Sequence, residues 1–541
     1  MKALIIGGVA AGASAAARLR RLDESADIVL IERGDAISYA NCGLPYHLGG
    51  VIEQRSSLLV MAPEAFRRRF AVDVRTQTKA VAIDRKAKTV TLRTRDGLET
   101  TESYDRLLLA TGASPVSVPI DGLPAERTMT LTTLPEMDRT LAAVAAGAAS
   151  VLVVGGGFIG VEAAENLARR GLKVTLTEKA PQVLSAVFDS EMTPWIHGAL
   201  KNAGVELCLG RTAVSWNDGV AVLDDGSSVA ADVVLMCIGV RPNSALAEAA
   251  GLEIGPRGHI HVSPTLQTSD SDIFAAGDAV EIRDPLTGGT TAIALAGPAN
   301  RQGRIAAGNM LGQTAAYFGT YGTSVVKTGA LTAAGVGMTE RRAQAAGLDY
   351  RVIYAHPMVH AAYYPGGEPI HMKLIVGTEG TLLGAQAVGP LGTEKRVDVI
   401  ATAMRLGAKA CDLTELELCY APPYGAAKDP VNMLGFITCN IRDGLTNPVK
   451  PTALPADAFL LDVREPEEVA QGTIPGSTAI PLGQLRSRLD ELPRDRTIVS
   501  FCKVGQRGYY AERILKQAGF RAANLSGGFG TWSAFRAAGL L

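Results

Sequence analysis

Two stretches in which an apolar run breaks on closely spaced glycines constrain this 541-residue chain more than any other feature. In the second, VLVVGGGFIGVEAAENLARRGLKVTLTEK, a buried strand turns at Gly155-x-Gly157-x-x-Gly160 into a helix and then into a strand ending at Glu178. Glycines at that spacing let the backbone turn tightly, approach a pyrophosphate and pack helix on strand, with the helix N-terminus facing the phosphates. A carboxylate about 20 residues further on receives a ribose 2′-hydroxyl and repels a 2′-phosphate. Glu178 therefore favours NADH over NADPH, although Lys179 beside it pulls the other way. The first stretch runs through KALIIGG, VAAGASAAARLRRL and DIVLIER, repeating strand, turn, helix and strand up to Glu32. Gly7 and Gly12 hold its outer glycine positions, and Val9 stands in the middle one.

Charge excludes several classes of partner. The 53 basic residues nearly cancel the 54 acidic ones, so no net field draws the chain to nucleic acid or an anionic membrane, and any anion must be bound locally. The N-terminal MKALIIGGVAAGASAAARLRR has the parts of a signal peptide, but its glycines fall at the strand-to-helix turn. Residues 141–161 carry no charge over a bilayer's length, yet their glycine cluster reads as a buried strand and turn. The expectation is a cytoplasmic enzyme without a membrane span. Seven cysteines (Cys42, Cys208, Cys237, Cys411, Cys419, Cys439, Cys502) lie far apart with no C-x-x-C, which predicts neither a zinc site nor a secreted disulfide framework.

Two further apolar strands run into small-residue turns, in YDRLLLATGASP and TSDSDIFAAGDAV, the latter placing Asp278 at a strand end. With these motifs in this order, residues 1 to about 445 resemble a flavoprotein disulfide reductase with two dinucleotide folds. The resemblance implies an α/β chain with an FAD-binding domain at 1–115 and 241–324, an inserted NADH-binding domain at 116–240 and an α+β dimerisation domain at 325–445. It implies cofactor contacts at Gly7, Val9, Ala10, Gly12, Glu32, Arg33, Ala110, Thr111, Gly112, Gly155, Gly157, Ile159, Gly160, Glu178, Gly239 and Gly277. Asp278 would meet the ribityl chain of the flavin, Phe158 would gate one flavin face and Glu162 would lie near the nicotinamide.

Members with two neighbouring active-site cysteines close an internal disulfide, but after Cys42, in SYANCGLPY, the next cysteine is Cys208. Oxidised Cys42 must therefore be a sulfenic acid or a mixed disulfide with a small thiol. A helix opening near Pro45 is expected to lower the thiol pKa. SYANCGLPY is similar to the single-cysteine subgroup of NADH oxidases, NADH peroxidases and coenzyme A-disulfide reductases. The oxidases and peroxidases carry a histidine on the first FAD helix, where this chain has Ala10 and Ala11. Likeness to the coenzyme A enzymes implies that Ser14, Arg18, Arg21, Ser38, Asn41, Asn300 and Lys428 hold the coenzyme, basic forks meeting its phosphates. It also implies a homodimer in which Tyr363 and Tyr420 reach across to the partner's redox centre. Tyr364 and Tyr424 are equally placed in their segments.

After a proline-containing linker at 440–455 the pattern restarts, and residues 452–541 resemble a rhodanese domain. Its loop is Cys502-x-x-Gly505-x-Arg507-Gly508, between a strand and a helix. Inward N–H groups, Arg507 and Lys503 would make Cys502 a thiolate able to carry sulfur as a persulfide. Thr473 replaces the usual histidine of GHIPGA, outside the loop. The function expected is NADH- and FAD-dependent reduction of coenzyme A persulfide, polysulfide or coenzyme A disulfide at Cys42, with Cys502 handling sulfane sulfur. The alternatives are an NADH oxidase or peroxidase cycling Cys42 through sulfenic acid, and a slow redox sensor or sulfur-delivery protein.

Overall fold

Strands Lys2–Ile6 and Asp27–Ile31 are apolar along almost their whole length, and a strand without alternation must be covered on both faces. They lie in a parallel sheet whose order is Ile273–Ala275, Arg106–Leu109, Lys2–Ile6, Asp27–Ile31, Asp73–Arg75, with Leu4 opposite Val29 on one side and Leu107 on the other. Helix Ala10–Leu22 packs on helix Ala296–Met310 so closely that a Cβ on Gly303 would overlap the Ala11 carbonyl. The computed structural model describes residues 1–541 and divides into two units, Met1–Lys179 with Gly204–Gly322, and Ala180–Ala203 with Thr323–Leu541.

The second glycine motif builds a second parallel sheet in the first unit, ordered Val205–Leu209, Lys173–Glu178, Ser150–Val154, Val233–Met236, Thr128–Met129. Between the two sheets the chain crosses twice. Both crossings are strands, Ala113–Pro115 and Val240–Pro242, paired antiparallel with Ser114 opposite Arg241. One module is thus inserted into another through a two-stranded neck.

In the second unit a five-stranded antiparallel sheet runs Ser324–Thr328, Leu331–Gly337, Leu382–Gly389, His371–Gly377, Tyr350–Ala355. Residues 180–203, inside the span read as NADH-binding, pack here instead. Asp189 and Glu191 of that segment, with Glu340, surround the fully buried ammonium of Lys373. Burial alone would pull the Lys373 pKa down, but the carboxylates of Glu191, Asp189 and Glu340 outweigh it and hold the pKa above its usual value. A buried charge needs such pairing, since desolvation of an unpaired ion costs several kcal/mol, on the order of a whole domain's stability margin.

The C-terminal part of this unit is a four-stranded parallel sheet, Thr478–Ala479, Phe459–Asp462, Ile498–Phe501, Ala522–Asn524, flanked by helices Gln506–Gln517 and Gly528–Ala537. Leu461, Val463, Ile480, Leu485, Ile498 and Leu515 fill one of its cores. It is seated on the module of the antiparallel sheet by His356 Nε2 to Thr531 Oγ1 at 2.7 Å, just past the edge strand, and by Lys450 Nζ to Glu340 Oε1 at 2.7 Å, at the start of helix Glu340–Ala345. The ring of Phe535 meets Tyr354 edge-on.

Candidate active sites

Both glycine turns are shaped by backbone contact. A Cβ on Gly12 would fall inside the Gly7 carbonyl, and one on Gly160 inside the Gly155 carbonyl. Beside Gly157, by contrast, the space is open. The Glu32 carboxylate accepts the N–H groups of Gly8 and Gly34, both at 2.8 Å, and Glu178 accepts that of Gly156 at 2.6 Å. Each acid is thereby fixed over its turn. Val9 is the N-cap of the first helix, which Ala10 opens, and Phe158 and Ile159 begin the second. Strand ends complete the rims: the Ala110 carbonyl lies against Gly7, Thr111 Oγ1 donates to the Asn243 carbonyl at 2.7 Å, and Gly277 N–H donates to Gln302 at 2.7 Å. Gly112 and Gly239 have positive φ at the turns after their strands, and Arg33 is exposed. Burial pushes the Asp278 carboxyl up, as suits a group awaiting hydroxyl donors. These features fit FAD at the first turn and a pyridine nucleotide at the second.

Cys42 lies inside a single 3-10 turn, Asn41–Gly43, followed by a helix of only five residues, Leu44–Leu48. The expected effect of a helix N-terminus on the thiol is not found: the Cys42 pKa is raised, first by burial and then by the negative charges of Glu162 and Asp278. A helix this short sums too few peptide dipoles to oppose two carboxylates. Solvent still reaches the side chain. Tyr46, four residues beyond the thiol and overlooked in the sequence, donates its hydroxyl to Glu162 Oε1 at 2.9 Å. Arg170 donates to the Leu48 carbonyl at 2.5 Å, and Gly49 lies tight against Asn166. Glu162, Asn166 and Arg170, spaced by four, thus form the face of the Phe158 helix on which the thiol segment rests. The clue in the sequence was that spacing.

The residues assigned to coenzyme A divide. Ser14 Oγ donates to Asn300 Oδ1, and Asn41 Nδ2 donates to the Thr132 carbonyl at 3.0 Å. In RLRR the three arginines differ: Arg18 is half-buried and Arg21 exposed, whereas Arg20 is buried and donates to the carbonyls of Phe70, Asp23, Glu24 and Ala71. Ser38 takes a φ of 46°, in the left-handed region. Lys428 is exposed and belongs to the other unit. There, Tyr363 and Tyr420 are brought together with their hydroxyls 2.9 Å apart, both exposed. Tyr364 instead meets His360 edge-on, and Tyr424 projects to solvent.

Cys502 follows strand Ile498–Phe501 and is fully buried. The loop after it is clamped from behind: Phe529 and Gly530 donate to the carbonyls of Cys502 and Lys503 at 2.8 and 2.9 Å. Gly505, at a φ of 91°, caps the helix that carries Arg507 and Gly508. Thr473 donates to Asp462 Oδ2 at 2.7 Å, and Asp462 in turn holds the buried Arg464. The acidic cluster closest to metal-ligand geometry, Asp189, Glu191 and Glu340, is the one filled by the ammonium of Lys373.

The fold and both glycine sites define the class: the pyridine nucleotide-disulphide oxidoreductase family matches residues 1–303, and the chain belongs to it. The family's dimerisation domain matches 323–429 and a rhodanese-like domain 450–535. The chain is therefore an oxidoreductase with a rhodanese domain. Among curated proteins it is 34% identical to an NADH oxidase of Methanocaldococcus jannaschii, over 80% of this chain and 97% of that one. It is 33% identical to a coenzyme A disulfide reductase of Staphylococcus aureus, over 80% and 99%. Two solved structures span nearly the whole chain. Reduced CoADR-RHD of Bacillus anthracis is 43% identical, covers 98% of each chain and has a TM-score of 0.96. A NAD-dependent persulfide reductase from A. fulgidus is 39% identical, covers 98% and 100%, and has a TM-score of 0.93. No helix is long and apolar enough to cross a membrane.

Proposed function

We propose that the protein is an NADH-dependent reductase of persulfides, polysulfides or disulfides of a small thiol, with coenzyme A the favoured carrier. The observation that carries this is the site around Cys42: a solvent-reached thiol with no cysteine paired to it, acted on by the charges of Glu162 and Asp278 and followed by Tyr46, which bonds Glu162. When bound, FAD supplies the electron pair that it receives from NADH. Cys42 attacks one sulfur of the substrate, the substrate S–S bond breaks, and the released thiolate takes up a proton. The resulting mixed disulfide on Cys42 is the species reduced. Glu32 and Asp278 hold the flavin nucleotide by its hydroxyls, and Glu178 selects NADH by refusing a 2′-phosphate. Arg18 and Arg21 meet the coenzyme phosphates, beside Ser14, Ser38, Asn41 and Asn300. In a homodimer, the Tyr363 and Tyr420 hydroxyls donate a proton to the thiolate leaving the partner's Cys42. Cys502 accepts or returns sulfane sulfur, its reactivity set by Arg507. The cytoplasm suits this thiol chemistry.

Cys42→Ser should lower NADH-linked reduction by about 100-fold or more, as expected when a covalent nucleophile is removed, while sulfur transfer at Cys502 persists. Cys502→Ser should do the reverse. Equal loss of both activities in either variant would sink the two-site reading. The NADH oxidase relative supports a second reading, in which Cys42 cycles through sulfenic acid. Ala10 and Ala11 offer no proton donor for it. Faster NADH oxidation with peroxide or oxygen than with anaerobic coenzyme A persulfide would favour that reading.

A further inference from the structure

The rhodanese loop holds its arginine already paired. Arg507 Nη1 donates to Glu468 Oε2 and Nη2 to Oε1, each at 2.7 Å, side by side. A guanidinium engages a carboxylate, phosphate or sulfonate through a pair of N–H donors such as this one, so with Glu468 in place the Nη1–Nη2 pair is closed to a second anion. Glu468 is placed by its backbone. Its carboxylate also accepts the Glu465 N–H, and its carbonyl accepts from Arg464, which Asp462 fixes. The pair is about two-thirds covered, with side-chain exposures of 31% for Arg507 and 29% for Glu468. The Glu468 carboxylate first, and the charge of Cys502 after it, hold the Arg507 pKa above its usual value against the opposing effect of burial. Lys503 is exposed.

We propose that Glu468 determines donor specificity at the sulfur-transfer site: by occupying the fork of Arg507 it disfavours sulfane donors with an oxyanion head, such as thiosulfate, and leaves the loop to alkyl persulfides and polysulfides. This rests on the reading of Cys502 as the sulfur acceptor. The Cys502 thiolate attacks the terminal sulfur of R–S–SH, the S–S bond breaks, Cys502–S–SH forms and R–S⁻ leaves to take a proton from water. The transfer involves no net oxidation or reduction. From thiosulfate the same attack releases sulfite as a dianion, and the fork that would receive its charge is filled. Glu468 acts through Arg507 and is a positioning residue.

The test loads sulfur onto the full-length holoenzyme from thiosulfate or from glutathione persulfide and reads, by peptide mass spectrometry, one added sulfur on the Cys502 peptide. The parent should load from glutathione persulfide about tenfold more efficiently than from thiosulfate. Glu468→Gln should lower the half-saturating thiosulfate concentration by about fivefold with little change in the maximal loading rate, and Glu468→Asp should restore the parent's order. A parent that loads equally well from both donors overturns the inference whether or not the glutamine variant folds. So does unchanged thiosulfate saturation in a folded Glu468→Gln. In both cases Cys502 survives as a carrier, whereas loading from neither donor overturns the sulfur-acceptor reading as well.

Discussion

Cys42 stands in a site that disfavours its own thiolate, because burial and the charges of Glu162 and Asp278 all raise its pKa. Removing one of those charges should therefore make the thiol more acidic. Glu162→Gln in the holoenzyme should speed alkylation of Cys42 by iodoacetamide at pH 7.5 by about three- to tenfold, as expected when the thiolate becomes easier to form. A rate equal to or below the parent's would show that Glu162 does not act on the sulfur. At this scale the sequence was legible where chemistry depends on residue type: a lone cysteine, a carboxylate ending each second strand, a cysteine loop with an arginine. It was illegible where chemistry depends on neighbours. RLRR reads as one basic face, yet the buried Arg20 donates to four backbone carbonyls while Arg21 meets solvent. Thr473 read only as a replacement outside the loop, and in the fold it donates to the aspartate that holds Arg464.

Among the elements, the glycine turns were the most legible, because their geometry is local. Gly160 meets the Gly155 carbonyl only five residues away, and the same contact recurs between Gly12 and Gly7. Gly160→Ala has no room for its methyl group, since the nearest atom is backbone. The expected cost is about 2–3 kcal/mol of stability with about a tenfold rise in half-saturating NADH. Thermal unfolding and NADH titration of flavin reduction measure the two, and an unshifted melting temperature would contradict the packing argument. The short helix after Cys42 shows the opposite case. Leu44 and Pro45 do open a helix, but its five residues cannot be counted from GLPYHLGG, since Gly49 ends it against Asn166, over a hundred positions away. Glu162, Asn166 and Arg170 were visible as one helical face, without any sign of what that face would hold.

Across the whole molecule, the C-terminal domain is seated on one histidine, His356, which pairs with a second, His371, and both must stay neutral. Burial lowers the pKa of His356 to about 3 and of His371 to about 4, and their Nδ1 atoms lie 2.9 Å apart, so that at most one proton fits between them. In the unfolded chain both titrate near 6.5, so it binds protons that the folded chain refuses. Their stability contribution is thus complete above pH 6.5 and lost as pH falls towards about 4. At pH 5.5 the loss should be about 1.4 kcal/mol for each histidine. Thermal unfolding of this unit should show it between pH 7.5 and 5.5, and His356→Gln should flatten the dependence; an equally steep dependence in that variant would remove His356 from the account. Sequence by itself determined the two nucleotide turns, the parallel strands beside them, the isolated thiol and the separate cysteine loop, because each follows from contacts or chemistry within a few tens of residues. Only the tertiary structure decided which charges surround Cys42, that residues 180–203 serve Lys373 of another module, and that Glu468 already fills the fork of Arg507. Those are long-range encounters between side chains, and side chains distant in the chain meet only after the backbone has chosen its path.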